Sequence, residues 1–229
     1  NGNLQWRRYF GGTSNDRSYD AIETNKGDFI LTGSSESQDI DISNPKGGYD
    51  IWVVKIDASG ALLWETSIGG SDYDNGNAII ETQNGNFLIA GQTFSKDKDI
   101  TNPLGSSDGI LVWLSPEGIL MRVQNIGKSE FDVLKDIVQR PDGTLLAVGH
   151  SSSIENENSP LDNDVTLYYT LSNGSLISSH QLGGDGLDQG EAIAVNSKGS
   201  VIVVGSTDSR SGQFPNSKGG KDLFVAIWN

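Results

Sequence analysis

One pattern runs through this chain four times, and it limits the possible folds more than any other feature. The turn glycines Gly27, Gly85, Gly143 and Gly199 are spaced 58, 58 and 56 residues apart. The column Gly33, Gly91, Gly149 and Gly205 keeps the same spacings, as does Asp16, Asp74, Asp132 and Asp188. A fourth column, Asp50, Asp108, Asp164 and Asp222, runs 58, 56 and 58. Columns that keep step in this way define an internal repeat. A repeat of this size buries its apolar faces by packing on its neighbours. We divide the chain into units of approximately 17–74, 75–132, 133–188 and 189–229 plus 1–16, which together make one domain.

Each unit predicts four strands. In the second, Asn77–Thr82 is a first strand and Phe87–Ala90 a second, joined by the turn Gln83-Asn84-Gly85-Asn86. Ile110–Leu114 is a third strand and Ile119–Ile126 a fourth. These runs are rich in Ile, Val, Leu and aromatics and bounded by Gly, Asn and Pro, as strands are. Runs such as Val201-Ile202-Val203-Val204 lack clean alternation, which fits strands covered on both faces.

Four-stranded units at this period predict an all-β fold, a four-bladed β-propeller with antiparallel blades. The chain opens with a run that reads as a fourth strand, Leu4–Phe10, and closes on a third strand, Leu223–Trp228. The expectation is a ring closed by pairing these two, hence a monomer. A ring shared by two chains stays open.

Composition narrows the partners. With 30 acidic and 16 basic residues the net charge is −14, which repels nucleic acid and anionic membranes. No apolar run approaches the length of a membrane span. There are no cysteines, so disulfide and thiolate chemistry is excluded. The first residue is Asn1, so removal of a leader stays open.

The fourth unit runs Leu182-Gly-Gly-Asp-Gly-Leu-Asp-Gln-Gly-Glu-Ala-Ile-Ala-Val-Asn-Ser-Lys-Gly, then Val201-Ile-Val-Val-Gly-Ser-Thr, then Gly219-Gly-Lys-Asp-Leu-Phe-Val-Ala. This resembles the bacterial β-propeller repeat called SBBP. The first unit's Gly47-Gly-Tyr-Asp-Ile-Trp-Val-Val-Lys-Ile-Asp-Ala-Ser-Gly resembles the variant common in exported Bacteroidota proteins. The resemblance covers essentially the whole chain. It implies a protein of the periplasm, cell surface or extracellular space of a bacterium. It implies no shared active site; the partner we expect is another exported or outer-membrane protein, or a glycan.

In such a fold the long loops Ser34–Tyr49, Gln92–Ser107, Ser151–Asn163 and Ser206–Lys221 share one face, where binding is expected. Three sets of residues there carry candidate chemistry. The column Asp16, Asp74, Asp132 and Asp188 is suited to a hard cation such as calcium, or to accepting backbone N–H bonds in each Gly-Gly-x-x-Asp loop. Asp39, Asp41, Asp97 and Asp99 form two Asp-x-Asp fragments of the kind found in calcium loops, and Glu155-Asn156-Glu157 takes their place in the third unit. Asp20 and Asp136 break the repeat, because Ala78 and Ala192 occupy their column elsewhere. They are candidates for a ligand or cation, or for solvated positions at the mouth of a channel.

Tyr19, Tyr49, Tyr73, Phe94 and Phe214 could stack on a sugar or pack the loops. His150 and His180 are the only histidines, and no nucleophile elbow or phosphate loop is present. We therefore expect a non-enzymatic protein-binding or scaffolding module. The alternatives are a glycan-binding module, and a carboxylate-dependent enzyme acting on polysaccharide through Asp20 and Asp136.

Overall fold

A computed structural model describes residues 2–153 and 162–228. Among the described residues there are strands but no helix. The first sheet runs in the order β1 (Asp16–Glu23), β2 (Phe29–Ser35), β3 (Asp50–Ile56), β4 (Leu62–Ile68). The second has β5 (Asp74–Glu81), β6 (Phe87–Thr93), β7 (Asp108–Leu114) and β8 (Leu120–Ile126). The third has β9 (Asp132–Gln139), β10 (Leu145–Ser153), β11 (Asp162–Thr170) and β12 (Leu176–Leu182). The fourth has β13 (Asp188–Val195), β14 (Val201–Thr207) and β15 (Asp222–Trp228).

The chain forms two compact units. The first is built from Asn1–Ile89, Thr93–Asn102 and Val112–Val123, the second from Ala90–Gln92, Pro103–Leu111 and Gln124–Asn229. Strands β1–β5 lie wholly in the first unit and β9–β15 wholly in the second.

Two glycine columns have different physical causes. Gly27, Gly85, Gly143 and Gly199 close the hairpins between first and second strands at φ between +80° and +88°, a region that L side chains avoid. The second column answers to crowding. β1 carries a bulge: Ser18 faces Gly33 and Asp20 faces Thr32, so Tyr19 is the extra residue. β9 and β13 are irregular at the same place. The bulge drives the first strand's backbone against its neighbour. A Cβ on Gly33 would sit 1.9 Å from the Arg17 carbonyl oxygen; on Gly149 it would sit 1.8 Å from that of Val133, and on Gly205 1.9 Å from that of Gln189. Only glycine fits.

The third strands β3 and β7 are the most deeply buried elements of the core. Every residue of β3 and of β7 is buried. In the first unit Ile42, Trp52, Val54 and Ile56 pack with Trp6, Phe10, Phe29 and Leu31. In the second, Leu146, Val148, Val165, Leu167, Ile193, Val201, Val203 and Phe224 form one cluster.

The expected strand Leu4–Phe10 is corrected by the structure. That segment belongs to no sheet, and the fourth sheet stops at β15. Its aromatic residues explain its course. Trp6 and Phe10 anchor it to the first unit's core, while Leu4 and Tyr9 stay exposed.

The two glycine columns predict different penalties. Gly33→Ala meets backbone and should cost about 3 kcal/mol. Gly27→Ala, with nothing within 4 Å of its new Cβ, should cost about 1 kcal/mol through φ alone. Urea midpoints of the two variants check the order.

Candidate functional site

The recurring aspartates lock loops. Asp74 Oδ2 accepts the N–H of Gly70 (2.8 Å) and the hydroxyl of Ser95 (2.8 Å), while Thr93 donates to Oδ1. Asp16 repeats this with Gly12 N–H (2.8 Å), Ser35 (2.5 Å) and Ser37 (2.9 Å). Asp188 accepts from Gly184 N–H (2.9 Å) and Ser209 (2.7 Å), and Asp132 from Lys128 N–H (2.7 Å). Asp16, Asp74 and Asp188 thus tie the loop ahead of the first strand to residues at or just past the end of the second strand, while Asp132 holds its own loop.

The Asp-x-Asp fragments make a similar lock. Asp39 accepts the N–H and hydroxyl of Thr13 (both 2.9 Å), and Asp97 those of Ser71 (2.8 and 2.6 Å). Asp41 accepts from Gly11 N–H (3.0 Å) and Asp99 from Gly69 N–H (3.3 Å). In the fourth repeat the polarity is reversed. Asp185 stands where Thr13 would be, and it accepts the N–H of Ser211 (3.1 Å), which occupies the position of Asp39. Gln213, at the Asp41 position, accepts from Gly183 N–H (3.0 Å). A lock that survives exchange of donor and acceptor is held by hydrogen bonding. Glu155 and Glu157 lie outside the described residues. Among the described residues, no group of three or more His, Asp or Glu side chains is placed to hold a metal ion.

The structure assigns Asp20 and Asp136 to separate units, with the same task in each. Asp20 accepts the N–H of Ala21 (2.8 Å) and, from the neighbouring inner strand, that of Ile79 (2.9 Å). Asp136 accepts from Ile137 (2.8 Å) and Ile193 (2.8 Å). Each acid stitches one first strand to the next. The alternation along the chain follows, because the receiving strands carry Ala78 and Ala192 beside the amide that donates.

Asp50 is nearly unexposed at 2%, and its Oδ1 has no hydrogen-bond partner. Burial pushes its carboxyl up to about 6, against the Lys46 and Gly47 N–H bonds that favour the anion; the charge of Asp74 adds to the rise. Gly69 separates the two acids. A Cβ there would fall 2.5 Å from Asp74 Oδ2 and 2.6 Å from Asp50 Oδ1. Burial likewise raises Asp74, Asp132 and Asp164.

The residues that do come together are aromatic, and all belong to the first unit. Tyr49 and Tyr73 are paired by a parallel bridge, their rings 5.4 Å apart. Tyr73 meets Phe94 edge-on at 6.1 Å. The Arg17 guanidinium lies over the Tyr49 ring at 5.8 Å. Tyr19, the bulged residue, is 45% exposed and hydrogen-bonded to Ser34, Arg17 and Tyr73. Burial alone would raise the Tyr19 phenol, but these bonds and the Arg17 charge bring it below its ordinary value. Burial and the bond to Tyr19 raise Tyr73 to about 12. Glu36 accepts from Asn15 (2.8 Å) and bonds Tyr49 at the rim.

This patch is peculiar to one repeat. The same bridge joins Ser107 to Phe131 and Asn163 to Leu187 elsewhere, and the bulge position holds Asn77, Lys135 and Glu191 in the other repeats. Arg17 escaped sequence reasoning. The one available signal was its place two residues before the bulge, visible only once the bulge is known. Phe214 does not join the patch. It packs on Phe224 at 5.1 Å and walls a cavity of about 350 Å³ in the second unit.

Burial, with the charges of Lys135 and Lys221, lowers His150 to about 4. His180 stacks edge-on against Tyr169 at 5.4 Å.

No protein-family model matches the sequence, and no curated protein matches it. Among solved structures, the chain is similar to the Penicillium chrysogenum α-L-arabinanase complexed with arabinobiose, at 12% identity and a TM-score of 0.51. The match covers 88% of this chain and 56% of the arabinanase. A Bacteroides caccae protein of unknown function matches at 14% identity and TM-score 0.46, over 82% of this chain and 52% of its own. BamB from Moraxella catarrhalis matches at 13% identity and TM-score 0.30, over 80% and 65%. The chain thus spans between half and two thirds of these proteins. At 12% identity the arabinanase likeness is one of fold, and fold alone assigns no chemistry.

Two titrations test the electrostatics. A folded-state carboxyl raised above its unfolded value of about 3.9 binds protons more readily when folded, so stability falls as pH rises between about 4 and 6. His150, lowered to about 4, works in the opposite direction, because its unfolded imidazole still holds a proton there that the folded one has lost. Asp50 alone should remove roughly 1 kcal/mol between pH 5 and 7, so Asp50→Asn should gain that much relative to wild type over the range, as read from urea midpoints at the two pH values. In alkaline difference absorbance, one phenol should ionise below the ordinary value of about 10. Tyr19→Phe should remove that transition and leave the late one of Tyr73.

Proposed function

We propose that this protein is a binding module of the β-propeller type, exported by a bacterium, and that it engages a protein partner through the Arg17–Tyr19–Tyr49–Tyr73–Phe94 patch. The observation that carries this is the patch itself: an exposed Tyr and Arg on a bulge, backed by three partly buried rings, at positions that are unlike in the other repeats. Tyr and Arg over a rigid apolar base are the residues that dominate protein interfaces. The bulge supports the assignment, since bulges re-aim side chains beside functional sites.

The enzymatic alternative loses its named acids to other work. Both oxygens of Asp20 and of Asp136 accept backbone N–H groups. The glycan alternative draws on the same rings and is separated by experiment.

The test compares wild type with the Arg17→Ala/Tyr19→Ala variant. Cross-linking to bacterial envelope proteins, read by mass spectrometry, should show partner peptides that the variant loses at least tenfold. A glycan-array run in parallel should be blank. Specific glycan binding abolished by the same two substitutions would replace the protein partner with a sugar.

A further inference from the structure

A cavity of about 250 Å³ lies within the second unit, and its walls include Phe131, Val133, His150, Ser152 and Asn163. Val133 is buried and Phe131 is 40% exposed, so one side is apolar. The polar side is oriented. Ser152 Oγ donates to Asn163 Oδ1 at 2.6 Å, which leaves the Asn163 NH2 for another acceptor. Gln92, also in the wall, is engaged already, its Nε2 donating to Ser107 Oγ at 3.1 Å.

His150 Nδ1 is buried and has no hydrogen-bond partner among the described residues. A buried polar atom left unpaired is costly. The repeat has cheaper choices at this position, because Ser34, Gln92 and Ser206 occupy it in the other units. The charge nearby decides what kind of ligand would complete it. Lys135 and Lys221 both act on the imidazole, and together with burial they keep it neutral down to about pH 4. Lys135 is the extra residue at the β9 bulge, where the other repeats have Tyr19, Asn77 and Glu191. The acid in the wall is Asp132, whose Oδ2 already accepts the Lys128 N–H at 2.7 Å. A cation entering here would meet two lysines. An anion would meet complementary charge, in a chain whose net charge is −14.

We propose that this cavity binds a small organic acid, its carboxylate on His150 and Asn163 and its apolar part against Phe131 and Val133. His150 Nδ1–H and the Asn163 NH2 donate to the carboxylate oxygens. Lys135 and Lys221 supply the attracting field. At about 30 Å³ per water the space equals roughly eight waters, which suits an acid the size of benzoate. The site is separate from the aromatic patch and stands whether or not that patch binds a protein.

Benzoate is the probe and benzamide its neutral counterpart. At pH 6, benzoate should shift the NMR amide signals of Phe131 and His150, and benzamide should bind at least tenfold more weakly. A bound carboxylate favours the imidazolium, so saturating benzoate should move the His150 titration midpoint up by at least one pH unit. Two variants borrow residues that the repeat carries at the same positions. His150→Ser and Lys135→Glu should each weaken benzoate binding at least tenfold while keeping the wild-type circular dichroism spectrum. The proposal is overturned if benzoate and benzamide bind alike, or if benzoate leaves the His150 midpoint in place. Benzoate binding that survives both substitutions overturns it as well.

Discussion

The structure depends on carboxylates that accept backbone N–H groups. A β-sheet satisfies its own amides along each ladder, but the loops between sheets have no ladder. Buried loop amides left unpaired would cost about 1–3 kcal/mol each. Asp16, Asp74 and Asp188 each bind a Gly-Gly amide on one side and Ser or Thr hydroxyls on the other. Burying so many acids raises some of their pKa values, Asp50 up to about 6. The fold accepts that electrostatic cost because no neutral side chain of that length offers as many acceptor sites.

Repetition and departure from it separate scaffold from surface. Where the column is constant, the residue holds a loop or leaves room for a bulge. Where the locks change, as from Thr13–Asp39 to Asp185–Ser211, donor and acceptor exchange and the bond remains. Asp20 and Asp136 break the column for an architectural reason, each reaching the amide of the adjoining inner strand. The aromatic patch has no such explanation within the scaffold. Its residues are unlike their counterparts, and Tyr19 is turned outward by the backbone.

Much of the fold was legible from the residues. The glycine and aspartate columns mark the turns and the strand starts, because turn torsions and loop caps admit few residue types. Leu4–Phe10 was misread as a paired strand. Its pattern matches β4, but strand state depends on a partner edge, which local pattern does not encode. The site was legible in part. Tyr19, Tyr49, Tyr73 and Phe94 were picked out and do converge, whereas Phe214 turned inward onto Phe224. Arg17 was not legible because a lone arginine on a strand carries no motif, and only the fold lays it over the Tyr49 ring.

By itself the sequence determined four repeats, all-β structure, the tight turns, an acidic surface and the absence of thiol chemistry. These follow from spacing and composition, which are properties of the chain as a string. Only the tertiary structure decided what the acids do and which aromatics meet. A carboxylate that locks an amide and one that waits for a cation are the same letter. The difference lies in whether an N–H sits within 3 Å, and that distance is set by the packing of segments far apart in the chain.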